Sequence, residues 1–347
     1  MSEALFAKPS GTVRWLKAGK RRISATCWPL IDDLLRSFLM VLVLRPATRV
    51  LSRKSALAIG RWCGSMMLRV PSSGGPALAT MRKSFCMEDT EAQRVAREYL
   101  AQPFCSFVVF ERMLSGRESL DTWTIKEKNN QSVAQLRDSE RPFIVAAGHF
   151  RRESYAAMFM PQFCPGSIVT VSLPRPDWSL HPHNIRMKVQ FGQFLKIHQQ
   201  VCPDHEFVYV GGALTKLLKH LERPNCRVVM SVDTFWNSAR ASAHTRPFAG
   251  MRARTFSIGS AVLGRLAQCP IVPFASYVGK ESTIVLEWGP TIPPPHRDDE
   301  AADIVNTNII LDFLENAIGS RPSQYTLYMG EERCWNSALE IWEDPNG

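Results

Sequence analysis

The segment from Phe143 to Met160 contains residue types whose spacing could support acid–base chemistry. An apolar run, FIVAA, leads into Gly148 and His149, and Glu153 follows four residues after the histidine. A side chain at the end of a buried strand lies at the rim of an open α/β sheet, where such sheets bind their ligands. Histidine titrates near neutral pH, which suits a general base that removes a proton from an alcohol or an amine.

Glu153 is the predicted partner of His149. A carboxylate bonded to the other ring nitrogen of a catalytic histidine fixes its tautomer and stabilises the imidazolium. Positions four apart on a helix differ by about 40° and lie on one face, so the two side chains could meet if helical geometry begins at His149. The sequence therefore predicts His149 and Glu153 as a catalytic pair. The alternative is that both residues are structural.

The elements that must position these residues alternate between strands and helices. Strands are predicted at Phe143–Ala147, Ile168–Leu173, Cys226–Val232, Ile271–Ser276 and Thr283–Glu287, and helices at Asp89–Leu114, Ala213–Leu221, Phe256–Ala267 and Ala301–Ile318. This alternation predicts an α/β fold with a mixed, largely parallel sheet flanked by helices. We expect residues 71–347 to form a single domain, which the turn-rich PSSGGP at Pro71–Pro76 separates from helices at 28–70.

The N-terminal part combines a basic segment, residues 1–27, with an amphipathic stretch. No apolar signal-peptide core precedes Ala25. From Trp28 to Leu44, apolar residues recur every three to four positions. The uninterrupted part, Ser37–Leu44, is far shorter than the ~20 residues of a transmembrane helix. We expect residues 28–70 to form a helical, membrane-associated layer. The alternative is a helix that packs on the core with solvated charges.

The composition limits the classes of molecule that the protein is expected to bind. The 347 residues include 42 Lys and Arg and 32 Asp and Glu, for a net charge of +10. Such a charge predicts an acidic partner, which could be nucleic acid, an anionic membrane surface or an acidic protein. No helix-turn-helix, zinc finger or aromatic–basic interleaving supports nucleic acid. The nine cysteines show no CxxC spacing, and no phosphate-binding loop is present, so we expect neither a metal nor an organic cofactor.

Several blocks of the sequence resemble the bacterial lipid A late acyltransferases, the lauroyl and myristoyl transferases of the lysophospholipid acyltransferase superfamily. The resemblance covers roughly residues 30–335. It is carried, in order, by ATMRKSF at Ala79–Phe85, Gly-His-Phe at 148–150, SVDTFW at Ser231–Trp236, Arg246–Ser276, PTIPPP at Pro290–Pro295 and LENAIGSRPSQYTLY at Leu314–Tyr328. The family motif has four residues between the histidine and the carboxylate. Here Ser154 takes that place and Glu153 comes one position earlier.

The resemblance implies transfer of an acyl group from a thioester donor, acyl carrier protein or acyl-CoA, to a hydroxyl or amine of a lipid A-like glycolipid. The donor's phosphopantetheine arm would replace any cofactor. The implied location is the cytoplasmic face of the bacterial inner membrane, with peripheral or monotopic attachment to its anionic surface. The altered spacing leaves two alternatives, namely aminoacyl transfer from a carrier protein to lipid A and a non-catalytic lipid- or carrier-binding homologue.

An acyl-transfer intermediate also needs a positive group near its oxyanion, and arginine suits oxyanions and phosphates alike. The candidates for this role and for substrate binding are Arg151, Arg152, Arg175, Arg186, Asp233, Arg246 and Arg254. Arg186 is favoured because its block, NIRMKVQFG, resembles a family stretch with a functional arginine before a glycine. Asp233 ends a predicted strand and could orient an arginine or a loop. Apolar residues at Phe104 and 107–110 could line an acyl channel or belong to the core.

Overall fold

The computed structural model of the protein describes residues 30–172, 185–209, 212–233, 243–279, 283–325, 334–336 and 341–343. The predicted basic segment at residues 1–27 and the candidate Arg175 lie outside these ranges. The described chain contains a seven-stranded sheet, two two-stranded sheets and the helices that cover the large sheet.

The apolar runs of the sequence form the strands of the large sheet. Its members are β1 (Ile125–Lys128), β2 (Phe143–Ala147), β3 (Ser167–Ser172), β4 (Glu206–Tyr209), β5 (Cys226–Ser231), β8 (Ile271–Val278) and β9 (Ile284–Trp288). They are ordered β1-β9-β8-β2-β5-β3-β4. All neighbouring strands run parallel except β8 and β9, which are antiparallel. The predicted α/β class with a mixed, largely parallel sheet is therefore confirmed.

The inner strands of this sheet are buried on both faces, as expected for parallel strands. Along β2, Val145 and Ala147 face one apolar cluster, whereas Ile144 and Ala146 face another. The first cluster includes α5 (Asp89–Leu114) and α7 (Arg152–Ala157). The second includes side chains from α9 (Ala213–Leu221), α10 (Gly259–Ala267) and α11 (Ala301–Ser320). The remaining elements are α6 (Gln131–Asp138), α8 (Ile185–Val201), the hairpin β6 (Ala243–Phe248) and β7 (Met251–Ser257), and the pair β10 (Cys334–Asn336) and β11 (Ile341–Glu343).

The N-terminal helices form a layer of their own. Helix α1, residues 30–38, continues through a π-helical stretch, Leu39–Leu44, into α2 (Arg45–Val50). The wider turn precedes Pro46, which cannot donate a backbone hydrogen bond and crowds the preceding turn. Then follow α3 (Arg53–Met67) and α4 (Pro71–Lys83). These helices and α5 share a third apolar cluster.

Pro71–Pro76, predicted as a turn, instead forms the first turns of α4. Proline is well accommodated at the first helical position, because that position needs no backbone donor. Gly74 permits a close approach, since a Cβ there would lie 1.8 Å from the carbonyl oxygen of Leu68. The prediction of a turn was wrong because tertiary packing outweighed the local signals of proline and glycine.

Helix α1 and its π-helical continuation present apolar residues on two faces. Leu39, Met40 and Leu44 are buried in the helical layer. Ile31, Leu34, Phe38 and Leu42 point outward and are 46–62% exposed. Core packing therefore explains only one of the two faces. Among the described helices, none is both long enough and apolar enough to cross a bilayer.

Candidate functional site

His149 and Asp233 lie beyond the carboxyl ends of two adjacent parallel strands, β2 and β5. In the register of this pair, Ala147 lies opposite Ser231. His149 and Asp233 each follow two residues later, so the chain brings both to the same edge of the sheet. The amide of Val232 donates to the carbonyl oxygen of Ala147 over 3.0 Å, which ties the two strand ends together. Parallel pairing thus joins residues that are 84 positions apart.

The carboxylate of Asp233 binds His149 through both oxygens. Oδ1 lies 2.6 Å from Nδ1 of the imidazole, and Oδ2 accepts from the backbone N–H of His149 over 2.7 Å. Asp233 is fully buried, whereas 32% of the His149 side chain is exposed. Burial alone would raise the pKa of Asp233, but the charge and hydrogen bonds of His149, with the charge of Arg254, lower it below its ordinary value. An ionised Asp233 keeps the proton of a neutral imidazole on Nδ1 and makes Nε2 the basic nitrogen.

Arg254 and Tyr325 support Asp233 from within the core. Both are at most 1% exposed. The guanidinium of Arg254 donates to the backbone carbonyl oxygen of Asp233 over 2.7 Å and to the hydroxyl oxygen of Tyr325 over 3.3 Å. Burial and the nearby Asp233 raise the pKa of Tyr325 well above its ordinary value, so its hydroxyl stays neutral. Arg254 was a candidate for substrate binding, but β7 carries its side chain into the core.

Glu153 contacts Arg151 and Ser106 instead of His149. Its Oε1 forms an ion pair with Arg151, and the Ser106 hydroxyl donates to Oε2. Helix α7 begins at Arg152, so His149 lies in the preceding loop and is not on one helical face with Glu153. The prediction that Glu153 orients His149 is therefore wrong, and Asp233 occupies that position. Burial lowers the pKa of Arg151, but the Glu153 carboxylate more than offsets this and raises it.

The loop that carries His149 is held by its own backbone. The N–H of Gly148 donates to Phe274 over 3.2 Å, and that of Phe150 donates to Gly148 over 3.1 Å. Since the N–H of His149 donates to Asp233, all three amides already have acceptors. A Cβ at Gly148 would lie 2.9 Å from Leu314, so glycine allows the loop to pack against α11. These amides cannot also stabilise an oxyanion without giving up their present acceptors.

The cationic residues predicted for the site belong to different elements of the fold. Arg246 is ion-paired with Asp312 over 2.6 Å and with Glu315 over 2.5 Å, so two carboxylates on α11 match its charge and it does not contact His149. Arg152 is the first residue of α7 and is half-buried. The backbone of Arg186 belongs to α8, and its side chain lies outside the described part.

The apolar residues of α5 belong to the core. Phe104 and residues 107–110 are at most 2% exposed and pack in the apolar clusters, and Val109 also borders a cavity between α3 and α5. Within the described ranges, no group of three or more His, Cys, Asp or Glu side chains is arranged to hold a metal ion.

Tyr325 could not be recognised from the sequence as a neighbour of Asp233. It lies in a block that resembles the acyltransferases, but no local feature connects it with Asp233. The sequence did hold a signal for the His149–Asp233 pair, because each residue closely follows an apolar run. That signal identifies an edge of the sheet, but it does not identify which strands are neighbours.

Comparisons with known proteins add a distant structural likeness. The sequence matches no protein-family model and no curated protein. Among solved structures, the chain is similar to the 1-acyl-sn-glycerophosphate (LPA) acyltransferase PlsC from Thermotoga maritima, with 11% identity and a TM-score of 0.33. The match covers 76% of this chain and 98% of that one. At this distance the likeness assigns neither a family nor an activity to the chain.

Proposed function

We propose that the protein is an acyltransferase that moves an acyl group from a thioester donor to a hydroxyl or amine of a membrane lipid. The observation that carries the proposal is the His149–Asp233 pair, with Nδ1 and Oδ1 2.6 Å apart at the carboxyl edge of the sheet. A buried carboxylate on Nδ1 and a partly exposed imidazole are the arrangement that a general base requires. The resemblance in sequence supports acyl transfer as the reaction.

In the proposed reaction, Nε2 of His149 removes the proton from the acceptor hydroxyl or amine. The acceptor atom attacks the thioester carbonyl, and the carbonyl π electrons move to its oxygen. Collapse of this intermediate breaks the carbon–sulfur bond, and the thiolate takes the proton from the imidazolium. Asp233 stabilises the imidazolium through Nδ1. Since a thioester is already activated, the reaction requires no covalent acyl-enzyme.

Stabilisation of the oxyanion is assigned to an arginine in this proposal. The backbone amides at positions 148–150 already have acceptors, and Arg246 is matched by two carboxylates. We therefore keep Arg186 as the first candidate and Arg152 as the second. Arg186→Ala is expected to lower kcat more than it raises KM if that arginine stabilises the transition state rather than the ground state.

The proposed acceptor is a phosphorylated, lipid A-like glycolipid at the cytoplasmic face of a bacterial inner membrane, and the proposed donor is acyl carrier protein or acyl-CoA. The exposed apolar face of α1 supports peripheral attachment to a membrane. The net charge of +10 supports an anionic surface and an acidic carrier. Aminoacyl transfer would use the same base and differs only in the donor. The alternative of a non-catalytic homologue rests on the altered His149–Glu153 spacing, and the pairing of His149 with Asp233 supports catalysis over it.

The test is transfer of a labelled acyl group to membrane lipid, with acyl carrier protein, acyl-CoA and an aminoacylated carrier supplied in parallel. His149→Ala is expected to lower the rate at least 100-fold, because it removes the base. His296→Ala is the matched control, since that side chain is 81% exposed. Equal turnover by His149→Ala and wild type would remove the proposed base. Transfer from the aminoacylated carrier alone would identify the alternative reaction.

A further inference from the structure

A cavity of about 440 Å³ lies beside the loop that carries His149. It opens between α3, α5, the start of α7 and the segment after β8. Arg151 and Glu153, two and four residues after His149, form part of its wall. Its volume is within the range of small-molecule sites. The cavity therefore adjoins the candidate base without including it.

The wall of this cavity contains buried polar atoms without hydrogen-bond partners. Gln102 is 4% exposed, and in the described structure neither its Oε1 nor its Nε2 has a partner. The indole nitrogen of Trp123 and the Nε of Arg151 are likewise buried and have no hydrogen-bond partner in the described structure, although another nitrogen of Arg151 forms an ion pair with Glu153. Buried polar groups are almost always hydrogen-bonded in proteins. Their concentration here points to a polar ligand.

The charges around the cavity favour an anionic group at its opening. Arg53 and Arg151 are ion-paired with Glu118 and Glu153. The wall residue Glu98 is paired with Arg94. Arg61 also lines the cavity and is exposed. Among the described residues Arg61 has no ion pair, so its guanidinium is available to an oxyanion such as phosphate.

The amide of Gln102 provides a second polar contact for the ligand. Its unpaired donor and acceptor complement a secondary amide, which offers one acceptor and one donor. Leu57, Ala101 and Val109 add apolar side chains to the wall. A chain that carries both a phosphate and amides matches these wall groups.

We propose that the cavity binds the phosphopantetheine arm of the acyl donor, with an amide of the arm on Gln102 and its phosphate on Arg61. This inference rests on the proposed function only in taking the donor to be a pantetheine thioester. The shared chemistry has two sources, coenzyme A and a carrier protein that bears the arm. The position of the cavity beside the His149 loop suits a donor whose thioester must reach that histidine.

The test measures binding to the His149→Ala variant, so that turnover does not interfere. The probes are pantetheine, 4′-phosphopantetheine, coenzyme A, a carrier protein that bears the arm, and inorganic phosphate. Gln102→Leu is expected to weaken every pantetheine ligand at least tenfold. Arg61→Ala is expected to weaken the phosphorylated ligands at least tenfold and to leave pantetheine unchanged. Gln131→Leu and Arg97→Ala, at exposed positions on α6 and α5, are the matched controls.

The outcomes separate this inference from the proposed function. If neither Gln102→Leu nor Arg61→Ala changes binding of the ligands, the proposed site is wrong. It is also wrong if inorganic phosphate binds as tightly as 4′-phosphopantetheine. Selective binding of coenzyme A or of the carrier protein supports the site and identifies the source. Binding by His149→Ala without any transfer by wild type refutes the proposed function and leaves the site. Since Arg61 is on the surface, its variant tests the inference even if Gln102→Leu does not fold.

Discussion

At the scale of single residues, two carboxylates near His149 have different surroundings. Asp233 holds the imidazole through Nδ1 and the backbone N–H. Glu153 follows His149 by four residues in the sequence, but its carboxylate is held by Arg151 and Ser106. Asp233 therefore acts on the candidate base, whereas Glu153 and Arg151 fix the start of α7 against α5. Substitution of either carboxylate by its amide should separate these roles.

Asp233→Asn is expected to lower kcat at least 100-fold with little change in KM. An amide oxygen on Nδ1 stabilises the imidazolium less than a carboxylate does, and an amide nitrogen there would favour the wrong tautomer. Acyl-transfer kinetics check this, with Asp233→Glu as the variant that keeps the charge. Retention of wild-type kcat by Asp233→Asn, with the fold verified by circular dichroism, would exclude Asp233 as the residue that positions the base.

Glu153→Gln is expected to act mainly on stability. Removal of one partner from a buried ion pair leaves the other charge uncompensated, and Arg151 is exposed by only 18%. We expect the free energy of unfolding to fall by about 3 to 5 kcal/mol, measured by urea denaturation. The folded variant should keep kcat within about tenfold of wild type. A collapse of kcat with unchanged stability would reverse the two assignments.

At the scale of elements, strands could be predicted from the sequence because apolar runs identify them locally. Phe143–Ala147 and Ala213–Leu221 have the predicted bounds. The order of the strands could not be predicted, because β2 pairs with β5 and β8 rather than with β3. For that reason the sequence could place His149 and Asp233 at one edge of the sheet without pairing them. The proximity of Glu153 in sequence then favoured the wrong partner.

The edge of the sheet at β3 and β4 contains a pair of histidines outside the candidate site. Nδ1 of His198 on α8 lies 3.2 Å from Nδ1 of His205, and His205 Nε2 lies 2.7 Å from the hydroxyl oxygen of Thr170. Phe159 packs against both rings. Burial lowers the pKa of His205 to about 4. Burial and the neighbouring His205 lower that of His198 well below its ordinary value. Both rings are therefore neutral in the folded protein at neutral pH.

This pair should make the protein less stable at acidic pH. Unfolded histidine takes up its proton near pH 6.5, whereas folded His205 does so only near pH 4. Between these values the unfolded state binds more protons, so the free energy of unfolding falls as pH falls. For His205 we expect a loss of about 2 kcal/mol between pH 7.5 and pH 5. Urea denaturation at both pH values measures it.

The control for this pH dependence is a second histidine variant. His205→Gln removes the titrating ring and should reduce the loss between pH 7.5 and pH 5. His296→Gln should leave the loss unchanged, because that side chain is 81% exposed. An equal loss in wild type and in His205→Gln would show that other groups cause the acid sensitivity.

At the scale of the whole molecule, the basic residues that give the net charge of +10 can be compared in position with the exposed apolar surface. The outward side chains of Ile31, Leu34, Phe38 and Leu42 form an exposed stripe on α1 and its π-helical continuation. The basic residues that follow differ in availability. Arg45 and Arg53 are ion-paired with α5 and with Glu118, whereas Arg49 and Lys54 are exposed. An apolar stripe near exposed basic residues is typical of a surface that binds anionic membranes.

Phe38→Glu and Leu42→Glu are each expected to reduce binding to vesicles at least tenfold. Partial burial of one such side chain in the interface is worth about 1.5 kcal/mol, and a carboxylate there also repels anionic lipid. The side chains are 53% and 62% exposed, so the fold should tolerate both changes. Co-sedimentation with vesicles of mixed anionic and zwitterionic lipid measures the effect. Wild-type binding should weaken as salt is raised, because screening reduces the attraction of the basic residues.

Val305→Glu is the matched control, since Val305 is an apolar residue of α11 that is 58% exposed. If Val305→Glu lowers binding as much as Phe38→Glu does, the stripe on α1 is not the membrane-binding surface.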